Sequence, residues 1–278
     1  MGTSDLTTSG FWGSDQCHVM VNPRDARALE DAKTLLPWVQ SEESLAGHIL
    51  FSTSGSTGGS KWVAISRSAL LASARAVNTH LGASGNDRWL RALPDFHVGG
   101  MGIFARCYEA GCACVSLEGK WSPAGYHSLA CDEGITLSSL VPTQLVDLVS
   151  ADLPSPPTLR AVLIGGGRLD DAIYQKAIAL GWPVMETYGM TEASSQVATT
   201  TLNTRQLEIL PCWQADQISE GELKLKGPLS RPVTSMNSRL SLFKKRDGLP
   251  LAILLSCMEI RSRSMAEPTA VSKFSASL

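Results

Sequence analysis

Ten consecutive residues, Ser52-Thr-Ser-Gly-Ser-Thr-Gly-Gly-Ser-Lys61, concentrate the chemistry of this chain. Glycines let backbone N–H groups converge on an anion, hydroxyls add donors, and Lys61 adds a mobile positive charge; together these suit a phosphate. The spacing is not that of a Walker loop, because Trp62 rather than Ser or Thr follows the lysine. A flexible polar loop is the alternative that composition leaves open. Three further clusters carry residue types that bind or react. Tyr188-Gly-Met-Thr-Glu192 offers an aromatic face and a hard carboxylate oxygen, although Glu192 alone reads as a solvated carboxylate at a helix start. Gly165-Gly-Gly167 reads as a tight strand-to-helix turn. Leu93-Pro-Asp-Phe-His97-Val-Gly-Gly100 sets a histidine beside a glycine pair, where histidine is usually structural.

The elements around these clusters alternate. His48–Phe51 is a short apolar strand running into the Gly/Ser/Thr loop, and Ser66–Leu81 has helical spacing with Ser66 as its N-cap. Asp25–Val39 is also helical. The spacing then predicts strands over Trp89–Leu93, Ala113–Leu117, Gly134–Leu137, Leu159–Ile164 and Pro183–Met185. Helices are predicted over Gly102–Tyr108, Pro142–Val149 and Asp170–Ala179. Strands alternating with helices predict an α/β fold with a parallel sheet. Met1–Asp15 reads as a frayed start, polar and without the apolar core of a signal peptide.

Composition bounds the function. The chain has 278 residues, 44% hydrophobic and 18% charged, with a net charge of −2, which describes a globular protein without the basic excess a nucleic-acid partner requires. The longest apolar run near the end, Leu249–Leu255, is too short to span a bilayer. The seven cysteines, Cys17, Cys107, Cys112, Cys114, Cys131, Cys212 and Cys257, contain no C-x-x-C pair. Cys112 and Cys114 fall on one strand face. Buried free thiols in a reducing compartment fit this pattern better than a disulfide framework or zinc site. The expectation is a cytoplasmic protein; assembly with copies of itself is left open.

The Gly/Ser/Thr loop resembles the phosphate loop of the adenylate-forming superfamily, Ser/Thr-Ser-Gly-Ser/Thr-Thr-Gly-x-Pro-Lys. Thr53, Ser54, Gly55, Ser56, Thr57, Gly58 and Lys61 match, and Ser60 replaces the usual proline. Tyr188-Gly189-Met190-Thr191-Glu192 is similar to the superfamily's second motif. The resemblance implies that Tyr188 stacks on adenine, Thr191 contacts phosphate and Glu192 holds Mg²⁺. It implies that Gly165, Gly166 and Gly167 form the adenine wall, and that Phe96-His97 lines the acyl pocket and gates the thiol substrate. Three stretches resemble the o-succinylbenzoate–CoA ligases: Lys61–Ser66, Phe96–Arg106 and Thr191–Gln196. Their substrate keeps one of its two carboxylates through the reaction. Arg106 resembles the residue that anchors it, with Ser194, Ser195 and Gln196 as neutral donors; a surface arginine on a helix is the alternative. The implied fold is the superfamily's large N-terminal domain, parallel sheets flanked by helices. The implied activity is that of an acid–thiol ligase using ATP, Mg²⁺ and coenzyme A, with Lys61, His97, Thr191 and Glu192 as its catalytic groups. Another acyl- or aryl-CoA ligase, or a non-catalytic nucleotide-binding fragment, remains open.

The likeness runs from about His48 to Pro228, after a short lead of residues 1–47. Gly221–Pro228 matches a family strand, but the expected Gly-Tyr turn, ribose-binding Asp and Gly-Arg-x-Asp hinge do not follow. Residues 230–278 are Ser-rich and weakly periodic. Reverse translation with freely chosen codons permits all three missing motifs, in order, in one alternative frame. A frameshift near residue 230 is therefore expected, leaving a non-native or disordered tail, no native C-terminal domain, and impaired activity.

Overall fold

The computed structural model describes residues 6–54, 60–219, 222–227 and 260–261. A first sheet contains β1 (His18–Met20), β2 (His48–Ser54) and β3 (Ser60–Ser66), with β1 parallel and β3 antiparallel to β2. The second has seven strands: β4 (Arg88–Arg91), β5 (Ala113–Ser116), β6 (Leu137–Leu140), β7 (Ala161–Ile164), β8 (Val184–Met190), β9 (Ser195–Thr201) and β10 (Thr204–Ile209). Their spatial order is β10-β9-β8-β7-β6-β4-β5, parallel from β5 to β8, with β9 and β10 added antiparallel. A third contains β11 (Gln214–Ser219), β12 (Glu222–Lys226) and β13 (Ile260–Arg261). The helices are α1 (Ser9–Trp12), α2 (Ala26–Ser41), α3 (Arg67–Leu81), α4 (Val98–Ala110), α5 (Pro123–Asp132), α6 (Pro142–Ser150) and α7 (Asp171–Ala179).

Side-chain alternation along β3 fixes the layering. Val63 and Ile65 join Phe51, Ala69, Leu70, Met101 and Phe104 in one core, between the first sheet and α3–α4. Trp62 and Ala64 point the other way, against Leu35 and Val39 of α2. The far side of α3–α4 packs on the second sheet through Val77, Ile103, Trp89 and Leu163. α5, α6 and α7 cover that sheet's other face through Tyr126, Leu145, Leu148 and Ala177. The α3–α4 layer is thus enclosed between two sheets, and α4 is buried continuously from Gly100 to Cys107.

Several elements differ from the sequence reading. The Gly/Ser/Thr loop joins two antiparallel strands, paired from His48↔Ser66 to Ser54↔Ser60, and not a strand to a helix. Lys61–Ser66 extends because its apolar residues alternate between two cores. The chain from Leu6 is not frayed: Leu6, Phe11 and Trp12 are buried, and the Trp12 indole donates to the Leu6 carbonyl at 2.8 Å. β6 begins at Leu137, three residues later than expected, because Gly134 sits at φ +59° in the turn closing α5. The Ser66 cap is as expected, its Oγ accepting from Ala69 N at 3.1 Å; Asp170, read as the first helical residue, is the N-cap of α7, its Oδ1 accepting from Ala172 N at 2.8 Å.

One ion pair ties the amino ends of the central strands together. Asp87 accepts from Arg160 Nε and Nη2 at 2.8 and 2.9 Å, from the Thr136 hydroxyl at 2.7 Å and from Ser84 N at 2.9 Å. Burial alone would raise its pKa, but the guanidinium and these donors outweigh it and hold the carboxyl down at about 2. A depressed carboxylate contributes stability that is complete above its unfolded value of about 3.9 and is lost as pH falls through the folded value. Asp87→Asn should therefore cost about 2–3 kcal/mol in urea unfolding at pH 7, and the gap to wild type should narrow as pH approaches 2. A gap independent of pH would remove the carboxylate charge from the account.

Candidate functional site

The parallel strands reverse their order at β4: β5 lies on one side of it and β6 on the other. In an open parallel sheet the connections from such a pair leave in opposite directions and open a crevice at the carboxyl ends. A cavity of about 710 Å³ lies there. The segment after β4 supplies Leu93, Pro94 and His97, and the end of β6 supplies Ser139, Leu140 and Val141. Gly165 and Gly166 come from the end of β7, and Gly189, Met190 and Thr191 from the end of β8. Four clusters far apart in sequence thus meet because they follow adjacent strands.

Arg106 forms the charged wall. It projects from α4 and is 1% exposed, so it is not a surface residue. Nη1 donates to Ser139 Oγ at 3.3 Å, the guanidinium lies 5.3 Å from the Trp89 ring centroid, and Nε is buried without a hydrogen-bond partner. Among the described residues no carboxylate pairs with it. Burial pushes its pKa down to about 10, so it remains cationic at neutral pH. A buried cation with an unused donor at a cavity wall is arranged for an anion that no described residue provides.

His97 is the N-cap of α4, exposed, with its ring 4.7 Å from that of Phe96. Desolvation of the ring lowers its pKa, keeping the imidazole neutral at pH 7. Burial lowers His18 and His48 in the same way. The unfolded chain therefore takes up these protons first, and stability should fall as pH drops from 7 through 6.5 toward 5. Urea midpoints across that window test this; a midpoint rising toward pH 5 would contradict it.

The second motif is split by the fold. Gly189, Met190 and Thr191 line the cavity. Tyr188 does not; it packs beside Ala193 and Val197. Glu192 lies in the 3-10 turn Thr191–Ala193, half-buried and outside the cavity lining. That turn lies against β3, so the motif meets the strand that follows the Gly/Ser/Thr loop. Ser194 and Ser195 have φ of +54° and +101°, two consecutive strained non-glycine residues. Ser195 and Gln196 line the cavity, whereas Ser194 is buried behind it. Gln196 Oε1 accepts from Thr199 Oγ1 at 3.0 Å.

Gly165 and Gly166 reach the cavity and Gly167 does not. A Cβ on Gly165 would lie 2.4 Å from Thr187 Oγ1, so any other residue there would have to displace the Thr187 hydroxyl of neighbouring β8. Thr53 and Ser54 end β2, and Lys61 pairs with Thr53 in β3. Gly55, Ser56, Thr57 and Gly58 lie outside the described residues. Sequence reasoning missed Ser139, the hydrogen-bond partner of Arg106. Its signal was a polar pair, Ser138-Ser139, inside an otherwise apolar strand. It also missed the rim, where Trp121 Nε1 donates to Asp147 Oδ2 at 2.7 Å.

Residues 20–226 match the AMP-binding enzyme family, so the likeness begins well before His48. The 2-succinylbenzoate–CoA ligase of Bacillus cytotoxicus is 33% identical over 228 residues, 76% of this chain and 46% of that protein. That of Bacillus cereus strain ZK is 32% identical over 209 residues, 68% of this chain and 43% of that protein. The o-succinylbenzoate coenzyme A synthetase of Bacillus subtilis, solved in complex with AMP, superposes with a TM-score of 0.60 at 28% identity, covering 65% of this chain and 40% of that one. The chain spans less than half the length of these relatives. Among the described residues no helix is long and apolar enough to cross a membrane.

Proposed function

The chain belongs to the AMP-binding enzyme family, and we propose that it carries the substrate-recognition half of an o-succinylbenzoate–CoA ligase. The observation that carries this reading is Arg106: a buried cation, with no carboxylate partner among the described residues, on the wall of the cavity beside Gly165 and Thr191. An acid with one carboxylate needs no such group. A dicarboxylic acid does, because one carboxylate reacts while the other has to be desolvated and held. Ser139 orients the guanidinium, and Ser195 and Gln196 add neutral donors.

In the reaction, the free carboxylate attacks the α-phosphorus of ATP and pyrophosphate leaves. The thiol of coenzyme A then attacks the acyl-adenylate carbonyl and AMP leaves. Lys61 and the Gly/Ser/Thr loop hold the phosphates, and Thr191 adds a hydroxyl at the carboxyl end of β8. Neutral His97 lines the acyl end and is available to the incoming thiol as a proton acceptor. Among the described residues no group of three His, Cys, Asp or Glu side chains converges as a metal cage. Mg²⁺ would be held through the substrate phosphates and the carboxylate of Glu192, a hard oxygen ligand in the turn after β8. When bound, the ion neutralises charge on the leaving pyrophosphate.

Residues 48–229 carry the motifs of this activity, and the segment from Leu6 to Gly47 packs into the same cores through β1 and α2. Residues 230–278 are read as the product of a shifted frame, and activity of the chain as written is impaired accordingly. The nucleotide sequence around codon 230 decides that point directly. Calorimetry decides the substrate. o-Succinylbenzoate should bind about 10- to 150-fold more tightly than benzoate, the worth of one charge-assisted pair at about 1.5–3 kcal/mol. ATP binding should lose its Mg²⁺ dependence in Glu192→Ala. Equal affinity for the two acids would remove the dicarboxylate assignment.

A further inference from the structure

α4 ends at Gly111, with φ +64°. Gly111 N–H donates to Tyr108 O at 3.3 Å and Cys112 N–H to Cys107 O at 3.1 Å. This paired closure brings the side chains of the residues at its two ends together, where proteins usually place two apolar groups. Here both are thiols. Cys107 is 1% exposed and faces Cys112 and Cys114, with its Sγ 3.8 Å from Ala113 O. Cys112 and Cys114 are both half-buried. None of the three thiols lines the cavity, so the ligase chemistry does not use them.

We propose that Cys107 and Cys112 form a site of reversible oxidation that closes to a disulfide when a peroxide reaches Cys112. The Cys112 thiolate attacks one peroxide oxygen, the O–O bond breaks, and the departing hydroxide takes a proton to become water. The resulting sulfenic acid is attacked at sulfur by Cys107. The S–S bond forms, the S–O bond breaks, and the Cys107 proton leaves with the hydroxide as a second water. Two electrons from the two thiols reduce one peroxide to two waters. Cys112 and Cys114 pack against Cys107; the contact with Cys107 lowers the Cys112 thiol against burial and nearby Asp87, and the same contacts raise the Cys107 thiol, giving an attacking and a resolving partner. Cys114, lowered by Cys107 and by Arg91, is the competing nucleophile. The bond would strap the end of α4, one residue beyond Arg106, to the start of β5. This inference is independent of the ligase reading.

The test treats the full chain with hydrogen peroxide, alkylates with iodoacetamide and digests with trypsin. The peptide from Cys107 to Lys120 holds all three thiols. The expected product has lost two hydrogens and carries one alkyl group, on Cys114. Dithiothreitol before alkylation should restore three. Cys112→Ser should abolish closure and Cys114→Ser should retain it. Cys112 is half-exposed, and an unchanged melting temperature in Cys112→Ser keeps that result interpretable. Three alkyl groups after peroxide, or closure that survives Cys112→Ser, or closure lost in Cys114→Ser, would each overturn the assignment.

Discussion

Arg106→Met should melt at a higher temperature than the wild-type chain and bind o-succinylbenzoate more weakly. Both effects come from one feature. The guanidinium is buried, has an unpartnered Nε, and among the described residues is supported by Ser139 and the Trp89 ring. Replacing buried ionic groups with apolar side chains of similar volume commonly stabilises proteins by about 1–4 kcal/mol. For a chain of this size each kcal/mol moves the midpoint by about 2–4 °C. The same substitution removes the anchor for the second carboxylate, so affinity for the acid should fall at least about tenfold. ATP affinity should be unchanged, since Arg106 lies on the acyl side. Thermal melting with calorimetry reads both. A variant that melts lower would mean that Arg106 has a counter-charge within the fold; unchanged acid binding would mean that the cation serves something else.

The second large effect is expected at Gly189. A Cβ there would stand 1.8 Å from Ser195 O, 2.8 Å from its carbonyl carbon and 3.0 Å from Gln196 Cα. All three are backbone atoms of β9, and the β8–β9 register shifts between Tyr188 and Gly189. No rotamer change relieves the clash; the strands have to part. Gly189→Ala should cost more than about 4 kcal/mol, and should displace Thr191 and Ser195 together, since they flank the crossing. Urea unfolding measures the loss, and nucleotide binding should disappear with it. Stability within about 0.5 kcal/mol of wild type would mean that the close approach is not maintained in solution.

Much of this was legible before any coordinates. Ser66 as an N-cap located α3, and the helical spans read for α6 and α7 match to within one residue. Alternation of strand and helix predicted the parallel sheet. What failed did so for physical reasons. α5 buries only Tyr126 and Ala130, too thin a stripe for periodicity to register. β9 and β10 are rich in Thr, Gln and Arg; β9 is buried by neighbouring strands rather than by an apolar pattern of its own, and β10 at the sheet edge buries none of its residues. α4 was read as starting at Gly102 because two glycines among its first three residues, Gly99 and Gly100, weaken its local propensity. Its burial on both faces, and hence that of Arg106, depends on the first sheet covering it, which no window of its own sequence contains. The site residues after β7 and β8 were found by motif. Ser139 escaped because one serine in a strand carries no spacing.

The enclosure of α4 between two sheets also has a consequence for synthesis. The chain leaves the ribosome amino end first, so β2 and β3 are complete by Ser66 while α4 ends only at Ala110. Until it arrives, Ile49, Phe51, Val63 and Ile65 have no Met101 or Phe104 to cover them. At about 5–20 residues per second the hairpin waits a few seconds with an apolar face in water. That interval is when the nascent chain is most exposed to pairing with a neighbouring copy, and when a chaperone that binds extended apolar strands has its target.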